Sequence, residues 1–163
     1  MQITLQSGFK ATVDEEDWET LGLSKYTWQA KKHNSGRHYV VANVWQPELN
    51  QQRGVRMHRL IMSPKSSEFI DHIDGNGLNN SRSNLRIASN AENQQNSGPR
   101  KGSSQYKGVS WSASRQVWRV AFRWNGQHYF VGSFPNEIEA ARAYNRAIKP
   151  LAGEYARLNP VGV

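Results

Sequence analysis

The chain has 163 residues, of which 37% are hydrophobic, a supply that suits small cores rather than one large core. Its 21 Lys and Arg against 13 Asp and Glu give a formal net charge of +8, which favours an anionic partner, nucleic acid above all, over a merely soluble basic protein. The absence of cysteine excludes disulfides and zinc sites built on cysteine, so any metal must be held by His, Asp, Glu or Asn.

The first region, residues 1–54, is predicted to be small and rich in β-strands. Alternation at Ile3 and Leu5 indicates a strand, and the acidic run 14–17 before Trp18 indicates a short helix. Alternating residues on both sides of the turn signal at 33–36 predict a hairpin. The chain start lacks a signal-peptide core and no stretch approaches about 18 apolar residues, so we expect no membrane partner and a cytoplasmic location.

The second region, residues 55–97, is predicted to run in the order strand, long loop, strand and helix. The strands are expected at 69–73 and 84–88, with a loop rich in Asn and Gly between them. Ser89 and Glu92 match a capping box, which predicts a helix that ends near Asn96. The polar stretch 98–104 then predicts a linker and a domain boundary.

Four polar side chains of this region are expected to converge: Asp71, His72, Asn84 and Asn93. His72 suits a general base because its pKa lies near neutrality. Asp71 and Asn93 offer oxygen atoms that suit a hard cation such as Mg²⁺. Asn84 is expected to accept a hydrogen bond from His72 and so fix its tautomer. An Asn-rich turn with one surface histidine is the alternative, and an Asp-His pair alone does not exclude it.

The wider pattern of this region resembles the HNH endonuclease family, in the branch of phage and intron-encoded homing enzymes with a ββα-metal motif. The segments that carry the resemblance are HRLI at 58–61, DHIDGN at 71–76, LNN at 78–80, NLR at 84–86 and Asn93. The resemblance implies one divalent ion, Mg²⁺ with Mn²⁺ as a substitute, on Asp71 and Asn93. It also implies His72 as the general base, oriented by Asn84.

Two further residues of the second region have roles that the sequence leaves open. His58 either contacts the scissile phosphate or the metal, or it packs against the hairpin. Arg86 either clamps a phosphate, which its guanidinium matches well, or forms a structural ion pair.

The third region, residues 105–163, is predicted to form three antiparallel strands packed on one helix. We expect the strands at 106–111, 117–124 and 127–131, with Asn125-Gly126 as a tight hairpin turn. A helix is expected to open at Asn136 and to end at Pro150. Its predicted apolar stripe consists of Ile138, Ala141, Tyr144, Ile148 and Leu151. The whole chain is therefore expected to be of the α+β class.

Alternation along the second of these strands separates a basic face from an aromatic face. The basic face comprises Arg115, Val117, Arg119, Ala121 and Arg123. The aromatic face, expected to pack on the helix together with Val131, comprises Trp118, Val120, Phe122 and Trp124. Arginines aligned on one small strand repel each other unless an anion meets them. We therefore expect the basic face to meet double-stranded DNA, against the alternative of a solvated face.

The third region is similar to the plant ethylene-response-factor (APETALA-type) DNA-binding domain. The similarity runs from Tyr106 to Asn159 and rests on YKGV at 106–109, WRV at 118–120, VGSF at 131–134, EAARAY at 139–144 and RLN at 157–159. It implies DNA contacts through the sheet at Lys107, Ser110, Arg123, His128 and Phe130. Because Ser110, Ser112 and Phe130 depart from the plant pattern, plant sequence specificity does not carry over.

Together these features predict a metal-dependent, site-preferring DNA endonuclease, acting as a monomer or a homodimer, that nicks DNA or cuts both strands. A DNA-binding regulator with an inactive nuclease unit is the main alternative, and it predicts tight binding without metal-dependent cleavage. A protein that binds or cuts RNA is a third, disfavoured because the sequence lacks a ribonucleoprotein aromatic signature.

Overall fold

The computed structural model describes residues 1–34, 36–99 and 101–162, and the chain divides into two compact units, Met1–Ala88 and Ser89–Val163. Ser35 in the predicted turn at 33–36 and Arg100 in the predicted linker lie outside the described residues. The named sheets are antiparallel and are accompanied by α-helices, which confirms the predicted α+β class. In the part of the chain described, no helix is long and apolar enough to cross a membrane.

The described residues of the first unit form three sheets, β1–β2, β3–β4–β5 and β6–β7, and two short α-helices. In chain order its elements are β1 (Gln2–Thr4), β2 (Lys10–Thr12), α1 (Glu15–Thr20), β3 (Gln29–Lys32), β4 (His38–Gln46), β5 (Gln51–Arg56), α2 (Met57–Met62), β6 (Phe69–His72) and β7 (Leu85–Ala88). Helix α2 buries Met57 and Ile61, which lie one turn apart, and it also buries His58.

One apolar core joins the predicted first and second regions. Its buried members come from both regions and include Val13, Trp28, Val40, Met57 and Leu85. The boundary predicted between residues 54 and 55 therefore does not coincide with a break in packing.

The N-terminal segment also holds the long loop between β6 and β7. The Thr12 N–H donates to the Leu78 carbonyl at 2.9 Å, and the Asn80 N–H donates to the Thr12 carbonyl at 2.7 Å. Farther along the loop, Arg82 forms a salt bridge of 2.6 Å with the buried Asp17 of α1. These contacts tie the loop to the framework that the first region supplies.

The second unit forms a three-stranded sheet, ordered β8–β9–β10, on one long helix, as predicted. Its elements are α3 (Asn90–Gln95), β8 (Val109–Ser112), β9 (Val117–Trp124), β10 (Gln127–Phe134) and α4 (Glu137–Ala152). The capping box of Ser89 and Glu92 and the cap by Asn136 are both present. Asn125 and Gly126 have φ of 47° and 78°, which confirms the tight hairpin turn.

Two predictions about α4 are wrong. The helix continues through Pro150 to Ala152, because the proline ring is compatible with helical φ and the loss of one N–H near the end is tolerated. The stop comes at Gly153, whose φ is 53°. Ile138 and Leu151 are exposed rather than part of the apolar stripe. The buried face of the helix consists of Ala140, Ala141, Tyr144, Ile148 and Ala152.

Glycine 108 sets the start of β8 later than predicted. Its φ of +75° is incompatible with an extended strand, so the strand begins at Val109 rather than at residue 106. A Cβ at this position would lie 2.2 Å from the Tyr144 ring. The glycine thus allows the backbone before β8 to lie directly on the buried tyrosine.

Helix α3 belongs to the second unit by its contacts. The Gln95 side chain donates to the Arg123 carbonyl at 2.6 Å, and the Arg157 N–H donates to the Gln95 carbonyl at 3.3 Å. Within the predicted linker at 98–104, the buried Ser104 hydroxyl donates to the Glu137 carboxylate at 2.7 Å. The compact unit thus begins at Ser89, before that linker.

Candidate functional site

Asp71 and His72 end strand β6, and both side chains are buried, with 2% and 4% of their surfaces exposed. Arg86 stands opposite Asp71 in the β6–β7 register. Its Nε and Nη2 donate to Asp71 Oδ2 at 2.9 and 2.7 Å. Of the two roles left open for Arg86, the structure shows the ion pair, and the ion pair holds the Asp71 carboxylate at the end of the hairpin.

The His72 ring lies in a buried aromatic and amide environment. Its Nε2 lies 3.5 Å from Oδ1 of Asn80, an asparagine with no exposed surface. The rings of His58 and Tyr39 lie 5.0 and 5.8 Å from it between centroids. Burial lowers the pKa of His72, against the opposing effects of Asn80 and of nearby carboxylates. His72 is therefore neutral at pH 7, the state that a proton acceptor requires.

Asn84 stands at the predicted place before the second strand of the hairpin, but its side chain bonds to Asp74 and Asn79 rather than to His72. It ends a short 3₁₀ turn just before β7, and its Oδ1 accepts from the Asp74 N–H at 3.0 Å. Its Nδ2 donates to the Asp74 carboxylate and to the Asn79 carbonyl, at 3.0 and 2.9 Å. The side chain thus braces the loop that follows β6 through one backbone N–H, one backbone carbonyl and one carboxylate. The amide beside His72 is that of Asn80, which the sequence did not single out.

Gly77 explains how this loop closes over the histidine. A Cβ at Gly77 would lie 2.4 Å from the His38 carbonyl oxygen and 2.6 Å from the Tyr39 ring. Only glycine allows the loop backbone to approach β4 this closely. The approach brings the loop against the aromatic residue that packs on His72.

His58 packs against the hairpin, one of the two roles left open for it. Its ring meets the His72 ring edge-on at 88°, and 4% of its surface is exposed. Burial, followed by the charges of His72 and neighbouring arginines, lowers the pKa of His58 to about 3. The imidazole is therefore neutral in the folded protein at pH 7.

The buried His58 should make the fold sensitive to acid. Between pH 6.5 and about 3 the unfolded chain binds a proton at this residue and the folded chain does not, so stability falls as the pH falls through this range. The contribution is on the order of 1 kcal/mol per pH unit. Urea unfolding at several pH values should show a shallower acid dependence for His58→Asn than for the wild type. The exposed His33→Asn serves as the control, and an equal slope in all three proteins would contradict the assignment.

Asn93, the second predicted metal ligand, lies in α3 of the second unit and is half-buried. Its role as a ligand stays a prediction. Among the described residues, no group of three His, Asp or Glu side chains gathers where it would hold a metal ion. The predicted ligand pair consists of one carboxylate, Asp71, and one carboxamide, Asn93. The absence of a group of three His, Asp or Glu side chains therefore does not bear on this pair.

The exposed face of the second unit's sheet matches the predicted basic face in two of its three arginines. Arg119 and Arg123 are exposed, and Arg123 stands opposite His128 in the β9–β10 register. The Arg119 guanidinium lies 5.2 Å from the centre of the Phe130 ring, which is 53% exposed. Ser110 is exposed opposite Arg119 on β8. These side chains form one surface of cations, one aromatic ring and small polar groups.

Two residues predicted for DNA contact lie elsewhere. Arg115 is in the turn before β9, because Gln116 adopts a φ of 52° and breaks the alternation. The Lys107 amine donates to the backbone carbonyls of Gln94 and Gln95 at the end of α3. That position satisfies carbonyls left over at a helix C-terminus.

Comparison with known proteins places the hairpin in a family. A family model described as HNH endonuclease matches residues 56–95, the stretch that contains Asp71, His72, Asn84 and Asn93. An uncharacterized HNH endonuclease of Acanthamoeba polyphaga mimivirus is 32% identical over 160 residues, covering 94% of this chain and 76% of that protein. Protein 3.8 of Escherichia phage T7 is 40% identical over 91 residues, covering 55% of this chain and 74% of that protein. No solved structure matches the chain.

Proposed function

The chain belongs to the HNH endonuclease family, and from that premise we propose that it is a metal-dependent, site-preferring DNA endonuclease with His72 as its general base. The observation that carries the proposal is the buried pair of Asp71 and His72 at the end of β6. A neutral imidazole next to a carboxylate supplies a proton acceptor and a charged oxygen ligand within one dipeptide.

The chemistry follows from the protonation state of His72. Because Asn80 Oδ1 can only accept, it favours the tautomer with the proton on Nε2 and leaves the lone pair on Nδ1. That lone pair takes a proton from water as the water oxygen bonds to phosphorus. The bond from phosphorus to the 3′ oxygen breaks, and the departing oxygen takes a proton from solvent water, which leaves a 5′-phosphate and a 3′-hydroxyl.

The donor set suits a hard divalent cation, since the Asp71 carboxylate and the Asn93 carboxamide are both oxygen donors. A bound Mg²⁺ or Mn²⁺ would stabilise negative charge on the phosphate and on the departing oxygen. Arg86, paired with Asp71, keeps this carboxylate oriented when a substrate phosphate approaches.

DNA docking is assigned to the exposed sheet face of the second unit, by analogy with APETALA-type domains. Arginine side chains on a sheet can enter the major groove and bond base edges or phosphates. The stacked pair of Arg119 and Phe130 and the adjacent Arg123 support this assignment. The arrangement fits a phage-borne or mobile-element enzyme in which one unit sets the position on DNA and the HNH segment cuts.

Incubation of supercoiled plasmid with Mg²⁺ or Mn²⁺ tests the proposed function. We expect conversion to nicked circles, and to linear DNA where both strands are cut, and we expect a chelator to abolish both. Plasmid that stays supercoiled at protein concentrations sufficient for tight binding would instead identify a regulator with an inactive nuclease unit.

Removing both arginines of the sheet face should weaken DNA binding and flatten its salt dependence. Each lost phosphate contact decreases the magnitude of the negative slope of log affinity against log salt by about 0.9. Arg119→Ala/Arg123→Ala should therefore decrease that magnitude by about 2. The control, Arg146→Ala/Lys149→Ala, removes the same charge from exposed positions on α4. Equal slopes for the two double variants would rule out the sheet face as the docking surface.

A further inference from the structure

The sheet β3–β4–β5 buries one face in the core of the first unit and leaves a cleft on the other. Val40 and Ala42 point into the core, whereas the alternate residues of β4, Tyr39 and Asn43, line the cleft. The cleft holds about 250 Å³. Sites for small molecules typically hold roughly 300–1,000 Å³. The cleft therefore suits a short stretch of extended polymer lying across it better than an enclosed ligand.

The lining of the cleft is basic. Its described residues include Lys31, Lys32 and His33 at the end of β3 and Arg56 at the end of β5, and none of them is Asp or Glu. These four side chains are exposed. Within residues 1–34, 36–99 and 101–162, no salt bridge pairs Lys31, Lys32 or Arg56 with a carboxylate, so the charges of these three side chains are uncompensated. A concave surface with uncompensated positive charge attracts phosphate groups.

The cleft leads to the histidine assigned as the base. The Tyr39 ring, which lines the cleft, lies 5.8 Å from the rings of both His58 and His72. A chain of phosphates in the cleft would therefore continue to His72.

An exposed aromatic side chain extends the same face. Trp45 lies two residues beyond Asn43 on β4, on the same side of the sheet, and 53% of its surface is exposed. Surfaces that combine a basic groove with an exposed aromatic ring are typical of nucleic-acid binding, where bases stack on the ring.

We propose that this cleft binds the sugar-phosphate backbone of the DNA strand that is cut, next to the scissile phosphate. The proposal rests on the proposed function, because it takes the substrate of His72 to be DNA. It adds to the sheet face of the second unit a separate DNA contact, carried by the first unit. The N-terminal region then holds the substrate as well as bracing the catalytic loop.

Binding measurements in a His72→Ala background test the cleft without interference from cleavage. The probe is a labelled duplex fragment of the plasmid used in the nicking assay, titrated at several KCl concentrations. Lys31→Gln/Arg56→Gln should bind more weakly. The negative slope of log affinity against log salt should become shallower, its magnitude decreasing by about 2. The control, Lys10→Gln/Lys65→Gln, removes the same charge from exposed positions outside the cleft and should leave the slope nearly unchanged.

A second variant fills the cleft without changing its charge. The backbone φ of Gly54 is not in the left-handed region, and a Cβ there would meet nothing closer than Asn43 Oδ1 at 3.9 Å. Gly54→Leu should therefore fold normally and still weaken DNA binding, since the side chain occupies the space of the bound backbone. Because Gly54→Leu leaves the net charge unchanged, weaker binding by this variant would not be explained by a loss of overall positive charge.

The outcomes separate this proposal from the proposed function. Unchanged affinity and slope in both cleft variants, in a protein whose parent nicks plasmid, would overturn the cleft alone. A parent that fails to nick would overturn the nuclease assignment, while the slopes would still show whether the cleft binds DNA. Duplex RNA that displaces the DNA probe from the parent but not from the cleft variants would identify RNA as the occupant and overturn the proposal.

Discussion

Replacing His72 with alanine should lower the rate of plasmid nicking by about 10²–10⁴-fold, the usual contribution of a general base. The substitution removes the proton acceptor and leaves Asp71 in place, so DNA affinity should stay close to that of the parent. Added imidazole should restore part of the activity, because the lost ring leaves a space next to Asn80 that a free imidazole can enter. Rates from initial loss of supercoiled plasmid, with and without imidazole, measure both effects.

Two controls separate lost chemistry from lost folding. His72 is buried, so its removal leaves a cavity, and thermal unfolding of the variant shows how much stability that cavity costs. His72→Asn keeps a polar side chain in the space and should be equally inactive. His38→Ala removes a half-buried histidine that packs on Phe9 in the same unit, and it should retain activity. Nicking by His72→Ala at the parental rate would exclude this residue as the base.

Adding one methyl group at Gly108 should destabilise the second unit by about 3 kcal/mol or more. The new Cβ would lie 2.2 Å from the ring of Tyr144, which is fully buried between α4 and the sheet. The ring is also held by an edge-on contact with Phe122, at 5.8 Å between centroids, and so has little room to move. Overpacking of this kind typically costs about 1–3 kcal/mol, and the positive φ adds roughly 1–2 kcal/mol for any residue with a Cβ.

Gly126→Ala provides a matched control for the backbone effect. Gly126 has φ of +78°, close to the +75° of Gly108, but a Cβ there would have nothing within 4 Å. Its cost should therefore be limited to backbone strain, about 1 kcal/mol. Denaturant unfolding of the two variants isolates the contact with Tyr144 as the difference between them, and equal stabilities would contradict the steric account.

Local signals in the sequence predicted most of the second unit. The Asn125-Gly126 turn, the alternation of β9 and the cap at Asn136 are each set by neighbouring residues, and each is confirmed. The errors arose where tertiary packing overrides local preference. Pro150 stays helical because the helix is anchored by its buried face, and the alternation through Arg115 ends where the turn conformation of Gln116 interrupts it.

The candidate site was predicted as a set of residue types but not as a set of contacts. The burial of Asp71 and His72 follows from their place at the end of a paired strand, which the sequence indicates. The roles of Asn80 and Asn84 depend on how an Asn-rich loop folds back on β2 and β4, and no periodicity marks which amide turns inward. Gly77 indicates that the loop backbone approaches another part of the chain closely. The sequence does not show that this part is Tyr39, because Tyr39 is distant along the chain.

The placement of helix α3 limits how this nuclease segment can be transplanted. The family match extends to residue 95. However, Gln95 of α3 forms hydrogen bonds with the backbone of Arg123 and Arg157, which lie much later in the chain. A helix of six residues has little stability of its own in water. A fusion partner joined after residue 97 would receive a hairpin with an unsupported last element. A protein that acquires this segment would therefore have to supply its own hydrogen-bond partners and packing surface for α3.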